Sequence, residues 1–194
     1  MGDAVIYIIR HGKTERNRAN VLQGRSDFPL NDEGVRQAMK AAETLKNIKF
    51  SHVFSSPLIR AVRTAELAVP GAAPVIDHRL IEMDYGPYEG ADLKAPPPEI
   101  IRFFRDFVHE PAPAGMEPLS SVVSRVGEFL EEIRGRSGNI LISTHAVAMK
   151  GMLEYLTPGA GGRYWSTYIG NCAIYAAEKK NGRLGIPKEI YGGG

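Results

Sequence analysis

Two continuous apolar runs rich in β-branched residues stand out along the chain, Ala4 to Ile9 and Asn139 to Ser143. Neither alternates apolar with polar residues, so each predicts a strand covered on both faces, as in a parallel sheet. Between them the apolar positions recur at helical spacing. Asn31 reads as an N-cap, with Asp32 and Glu33 against the positive end of a helix dipole, for a helix from Gly34 to about Leu45. Ser56-Pro57 predicts a second start, a capping serine and a proline at the first helical position, with the helix running to about Leu67. Ile100, Phe103, Phe104, Phe107 and Val108 form one apolar stripe; Val122, Val126, Phe129, Leu130 and Ile133 form another. Near the end, Ala173 to Ala177 and Arg183 to Ile186 flank Asn181-Gly182, a hairpin signal that predicts an antiparallel edge. The terminal Gly192-Gly193-Gly194 reads as a frayed tail. Strands alternating with helices make this an α/β chain with a mostly parallel sheet, whose ligands should gather beyond the carboxyl ends of the strands.

Composition narrows the class. With 194 residues, 43% of them hydrophobic, and no Pro/Ser-rich linker, residues 1–194 read as a single domain. The 24 Lys and Arg nearly cancel the 22 Asp and Glu, which removes the basic field that non-specific nucleic-acid binding needs. Cys172 is the lone cysteine, so an intramolecular disulfide is excluded and a reducing, cytoplasmic setting is expected. The first apolar run is too short for a signal-peptide core or a membrane span, and no membrane partner is expected. His52, His78 and His109 are scattered without ligand spacing, so no metal is expected. No pattern in the chain bears on its oligomeric state.

Two histidines directly follow the two best strands. His11 comes after Ile9-Arg10 and His145 after Ser143-Thr144, which places both on one rim of the sheet. Alone, each is as well read as a structural histidine. Their company argues otherwise: Arg10 beside His11, Asn17 six residues on, and Arg60 near the start of the second helix. A neutral imidazole can attack phosphorus at pH 7, and arginine forks suit phosphate oxygens.

Arg10-His11-Gly12-Lys13-Thr14-Glu15-Arg16-Asn17 matches the RHGxTxxN signature of the histidine phosphatase superfamily, and the resemblance extends further. Gln23 to Ala38, Ser55 to Ala65 (SSPLxRAxxTA), Leu80 to Gly90 (LxExxYGxxEG) and Gly115 to Val126 resemble the later blocks in the same order. The resemblance implies a three-layer αβα sandwich of the phosphoglycerate-mutase-like kind, with a short insertion at about 88–115 beside the active site. It implies His11 as a transiently phosphorylated nucleophile, Glu82 as general acid and His145 as their catalytic partner. Arg10, Asn17 and Arg60 would bind phosphate, and Gln23, Gly24, Tyr85 and Ala146 are possible substrate contacts. Glu82 should keep a proton available because it faces a phosphate, and His145, if protonated by anionic neighbours, adds a donor. Glu89 is expected to be a loop residue, and the phenylalanine stripe to be core with a partial lid role open.

The chain departs from the family pattern at three places. His145-Ala146-Val147-Ala148-Met149-Lys150 stands where His-Gly and a distant arginine are usual, Lys13 where glutamate is common, and Pro118 where serine is common. Ala146 loses glycine's backbone freedom, and Lys13 is expected to be solvated or to reach an acidic group of the substrate. The leading expectation is a phosphomonoesterase acting on a small phosphate ester without a cofactor. The alternatives are a phosphoglycerate mutase, which would need 2,3-bisphosphoglycerate, and a non-catalytic phospho-ligand sensor.

Overall fold

The computed structural model describes residues 4–180 and 183–194, so the Asn181-Gly182 turn lies outside the described residues. Four strands, β1 (Ala4–Arg10), β2 (Phe50–Ser55), β3 (Val75–Ile76) and β4 (Asn139–Thr144), run parallel. Three more, β5 (Ile174–Lys180), β6 (Arg183–Leu184) and β7 (Lys188–Tyr191), close one edge with antiparallel pairs. The order across the seven-stranded sheet is β3-β2-β4-β1-β5-β6, with β7 also on β5. The predicted antiparallel edge is present, because Lys180 pairs with Arg183.

The helices are α1 (Glu15–Ala19), α2 (Asp32–Leu45), α3 (Ile59–Ala68), α4 (Pro98–Arg105), α5 (Leu119–Ile133) and α6 (Ala146–Leu156). Because successive strand side chains point to opposite faces, the continuous apolar runs feed two cores at once. Ile6, Ile8, Phe54, Ile140 and Ile142 face α5 and α6, burying Val126, Phe129, Leu130, Ile133, Met149, Met152 and Leu153. Ile9, Val53 and Leu141 face α2 and α3, burying Ala38, Ala41, Leu45, Ala65 and Ala68. The result is the three-layer αβα sandwich. A third cluster lies under the loops at the carboxyl end of the sheet, where Ile100 and Phe103 of α4 pack on Leu22, Met83, Tyr85, Val147 and Trp165. The 88–115 segment therefore contributes core on the flank of the carboxyl rim of the sheet, and the phenylalanine stripe is packed.

Asn31 caps α2 as its sequence predicts, accepting from Gly34 N at 2.9 Å. The Ser56-Pro57 start is a correction. Helix α3 begins at Ile59, and the Ile59 N–H is taken by Asp27 Oδ1 at 2.8 Å. Ser56 instead turns its hydroxyl to His145, 89 residues away in the chain. The frayed tail is a second correction. Gly194 N donates to Asn171 O at 3.1 Å and Gln37 Nε2 to Gly194 O at 2.7 Å. Gly193 sits at φ 72°, and a Cβ there would stand 2.1 Å from Asn171 O, so lack of a side chain is what lets this strand of glycines dock. Among the described residues, no helix is long and apolar enough to cross a membrane.

Candidate active site

Three adjacent strands end in three polar residues. The ladder puts Arg10 beside Thr144 and Ser55 beside Ser143, and it continues one step through His11 N to Thr144 O (2.9 Å) and Ser56 N to Ser143 O (3.0 Å). His11, His145 and Ser56 are therefore delivered side by side at the carboxyl edge. The two imidazole centroids are 5.1 Å apart, and His145 Nε2 lies 2.7 Å from Ser56 Oγ.

His11 Nδ1 lies 2.7 Å from Gly12 O, which can only accept, so this nitrogen carries the ring proton and Nε2 keeps the lone pair. Burial pushes the His11 pKa well below the usual imidazole value, and Arg60 and Arg10 push it further down. The nucleophile candidate is thus neutral and of fixed tautomer at pH 7 without a separate base. His145 is also lowered, first by burial and then by Arg60, His11, Arg10 and Arg125. This corrects the expectation of an anionic neighbourhood that would protonate it: its neighbours are cations. Ser56 Oγ accepts from Leu58 N at 3.3 Å, leaving its own proton for Nε2. We assign the His145 ring proton to Nδ1 on that basis.

Four buried side-chain nitrogens have no hydrogen-bond partner among the described residues: Arg10 Nε, Gln23 Nε2, Arg60 Nε and His145 Nδ1. All four belong to residues that the sequence nominates. Arg10 uses Nη1 on Ile169 O (2.5 Å), and Arg60 uses Nη1 and Nη2 on Ser26 O (2.7 Å) and Gly24 O (2.6 Å). Arg60 is fully buried and its pKa is pushed down to about 10 by burial, so it remains a cation at neutral pH. Asn17 Oδ1 is engaged by Thr14 N (3.1 Å) and Asn171 Nδ2 (3.4 Å), which commits the amide oxygen and leaves its NH2 as the free end. Buried donors left unpaired are unfavourable. Cationic and neutral donors gathered around a neutral imidazole make a cradle for an anion with several acceptor oxygens.

Glu82 is 3% exposed and reaches the same rim from the other side. Its Oε1 accepts from Met83 N (2.9 Å), Val147 N (3.1 Å) and Ala148 N (3.0 Å), whereas Oε2 shares only Val147 N (3.1 Å). The carboxyl group therefore caps the N-terminus of α6 in place of a local cap, chiefly through Oε1, and Oε2 is its less engaged oxygen. The loop carrying Glu82 is clamped from α5. Arg125 Nη1 donates to both Arg79 O and Ile81 O at 2.6 Å, and its Nε donates to Glu117 Oε1 at 2.7 Å. Glu117 also accepts from Asp84 N (3.1 Å) and Arg25 Nη2 (3.2 Å).

The remaining nominees divide. Gln23 accepts from Thr14 Oγ1 at 2.7 Å and turns its amide nitrogen inward. Tyr85 is buried, and Glu82 and Glu89, partly opposed by Arg10 and Arg60, bear on its hydroxyl after burial itself, which raises its pKa. Gly24 has its N–H on Glu89 and its C=O on Arg60, so it comes as a support for the cradle and not as a free contact. Glu89, which also takes the Ser26 hydroxyl, is a loop brace. Ala146 opens α6 and is not among the positive-φ residues, so the missing glycine sacrifices no needed conformation. Lys13, expected to be solvated or to reach an acidic group of the substrate, pairs with Glu33 of α2 at 2.5 Å and stays partly exposed.

Sequence reasoning missed three residues here. Ser56 follows β2 as His11 follows β1, a parallel that could have found it. Thr64 Oγ1 accepts from Gly12 N at 3.0 Å, and Asn171 Nδ2 donates to His11 O at 3.0 Å. Asn171 left no local signal; it is brought under His11 by a turn in which Cys172 takes φ 60°, a strained value for a non-glycine. Among the described residues, no group of three or more His, Cys, Asp or Glu is placed to hold a metal ion.

Comparison with known proteins shows the family and the fold of this chain. The sequence profile of the histidine phosphatase superfamily (branch 1) matches residues 6–188. Phosphoserine phosphatase 1 of Hydrogenobacter thermophilus is 32% identical over 186 residues, covering 91% of this chain and 88% of that one. The Escherichia coli protein named "Probable phosphoglycerate mutase GpmB" is 32% identical over 152 residues, covering 74% of this chain and 70% of its own. The fold matches that of a phosphoserine phosphatase from Entamoeba histolytica, solved in complex with phosphoserine, with a TM-score of 0.80 at 22% identity over 97% of this chain and 96% of that one.

Proposed function

Because this chain belongs to the histidine phosphatase superfamily (branch 1), we propose that it is a phosphomonoesterase that hydrolyses a small phosphate ester through a phosphohistidine on His11. The observation that carries this reading is the set of partnerless buried nitrogens on Arg10, Arg60 and His145 around a neutral His11. His11 Nε2 attacks phosphorus in line, forming the N–P bond as the P–O bond to the alcohol breaks, and Glu82 gives its proton to the departing oxygen. Arg10, Arg60, Asn17 and His145 Nδ1–H hold the equatorial oxygens. Water then attacks the phosphohistidine, its proton passes to Glu82, and phosphate leaves with His11 neutral again. No metal or organic cofactor enters this scheme.

A mutase reading has one specific support, the likeness to GpmB. Against it stands the compactness of residues 88–115, a single eight-residue helix packed on Met83, Tyr85 and Trp165, which encloses little. The test is a brief reaction with labelled ester followed by denaturation. An acid-labile, base-stable phosphoenzyme should form, and it should be missing in His11→Ala. Full turnover in that variant sinks the mechanism. Efficient interconversion of 3- and 2-phosphoglycerate, stimulated by 2,3-bisphosphoglycerate and with little phosphate release, shows the mutase instead.

A further inference from the structure

We propose that Lys150 reads a carboxylate on the alcohol half of the substrate, so that the site selects phosphate esters of small hydroxy acids over those of neutral alcohols. This rests on the phosphatase reading and deepens it. Lys150 lies four residues after Ala146, on the same face of α6 one turn further in. Its ammonium is half-buried, donates to Trp165 O at 2.7 Å and stands 5.3 Å from the centre of the Phe107 ring. Among the described residues no carboxylate pairs with it at ion-pair distance, in contrast to Lys13 with Glu33 or Lys46 with Glu43.

A partly desolvated cation without a counter-ion is an unfavourable thing to keep. Holding the Trp165 carbonyl needs one N–H, which a neutral amide supplies; within the chain the charge meets the face of the Phe107 ring and the field of Glu82, and among the described residues no ion pair or second hydrogen bond takes the other two N–H groups. Burial lowers the Lys150 pKa to about 8, with Glu82 opposing and Arg10 adding to that shift, so both groups lie within electrostatic reach. The direction follows from the chemistry. Lys150 follows by about one turn the Val147 and Ala148 amides that hold Glu82, the group that meets the leaving oxygen, so its ammonium neighbours the alcohol and not the transferred phosphoryl group. A lone ammonium suits one carboxylate, whereas a second phosphate calls for the arginine forks that the cradle already spends on the first.

3-Phosphoglycerate and glycerol 3-phosphate differ only in a carboxylate against a hydroxymethyl group, so the ratio of their kcat/KM values for phosphate release isolates this contact. In the unmodified enzyme the ratio should favour 3-phosphoglycerate by roughly 10–100-fold, the scale of one hydrogen bond to a charged group. Lys150→Gln, which keeps a donor for Trp165 O without the charge, should collapse the ratio to near unity through KM. Lys150→Arg should retain most of it. A ratio that survives in Lys150→Gln, no preference in the unmodified enzyme, or equal losses on both esters in both variants would overturn the assignment, the last showing that Lys150 only braces the Trp165 loop. Absence of His11-dependent phosphate release from every ester is a different failure, that of the hydrolase reading itself.

Discussion

Lowering the pH from 7.0 to 5.5 should destabilise this protein well before its carboxylates titrate, because two imidazoles are buried in neutral form. His11 and His145 are 4% and 0% exposed, and both have pKa values pushed well below 6.5 by burial and by Arg10 and Arg60. In the unfolded chain each regains an ordinary value near 6.5. The unfolded state therefore takes up protons that the folded state refuses, and stability present above pH 6.5 is lost as the pH falls toward the folded values. From pH 7.0 to 5.5 each group contributes about 1.2 kcal/mol of that loss, so the pair contributes about 2.5 kcal/mol if both stay neutral when folded. Asp77, held below the usual carboxylate range by Arg79, stays ionised throughout this window. Urea unfolding at half-unit steps in a phosphate-free buffer measures the change, with the m-value expected to stay constant. His145→Gln should remove about half of the slope. A stability that is flat or rises as the pH falls through this window would show that the rim is protonated in the folded state, and with it that His11 is not a preformed neutral nucleophile.

Glu82→Gln should slow alkyl phosphates by roughly 10²–10⁴-fold, and p-nitrophenyl phosphate visibly less, in single-turnover phosphorylation; equal losses would make Glu82 a positioning group. Arg125→Met leaves Glu117 and the carbonyls of Arg79 and Ile81 without their shared donor. It should cost about 3 kcal/mol in denaturant unfolding, and the surviving activity should show the same leaving-group bias as Glu82→Gln, a bias that a purely global loss would not produce. Excess EDTA should leave the rate unchanged while vanadate inhibits; rescue of a chelator-killed enzyme by magnesium or zinc would contradict the metal-free scheme. Phe103→Ala, at a fully buried position in the cluster beside the histidine rim, should lower stability by about 3–5 kcal/mol, checked by the shift in denaturant midpoint.

What the sequence determined by itself was whatever depends on near neighbours. The apolar runs at Ala4 and Asn139 could only be strands with both faces covered, and Asn31 capped its helix because the donor it serves is three residues away. The place of His11 and His145 at strand ends followed from the same short-range pattern, and the motif blocks nominated Arg10, Asn17, Arg60 and Glu82. Tertiary structure decided the rest, because it set which ends became neighbours. The order β2-β4-β1 put Ser56 against His145 across 89 residues and turned an apparent helix cap into a partner of the histidine rim. Asn171 reaches the His11 carbonyl across 160 residues, and Glu82 caps a helix 65 residues downstream. Lys13 meets Glu33 across 20 residues, and the terminal glycines dock on Asn171, both through contacts that no near-neighbour pattern carries. Periodicity and capping are interactions within a few residues and are written in the chain; a hydrogen bond between distant segments exists only where packing has already brought both ends to the same place.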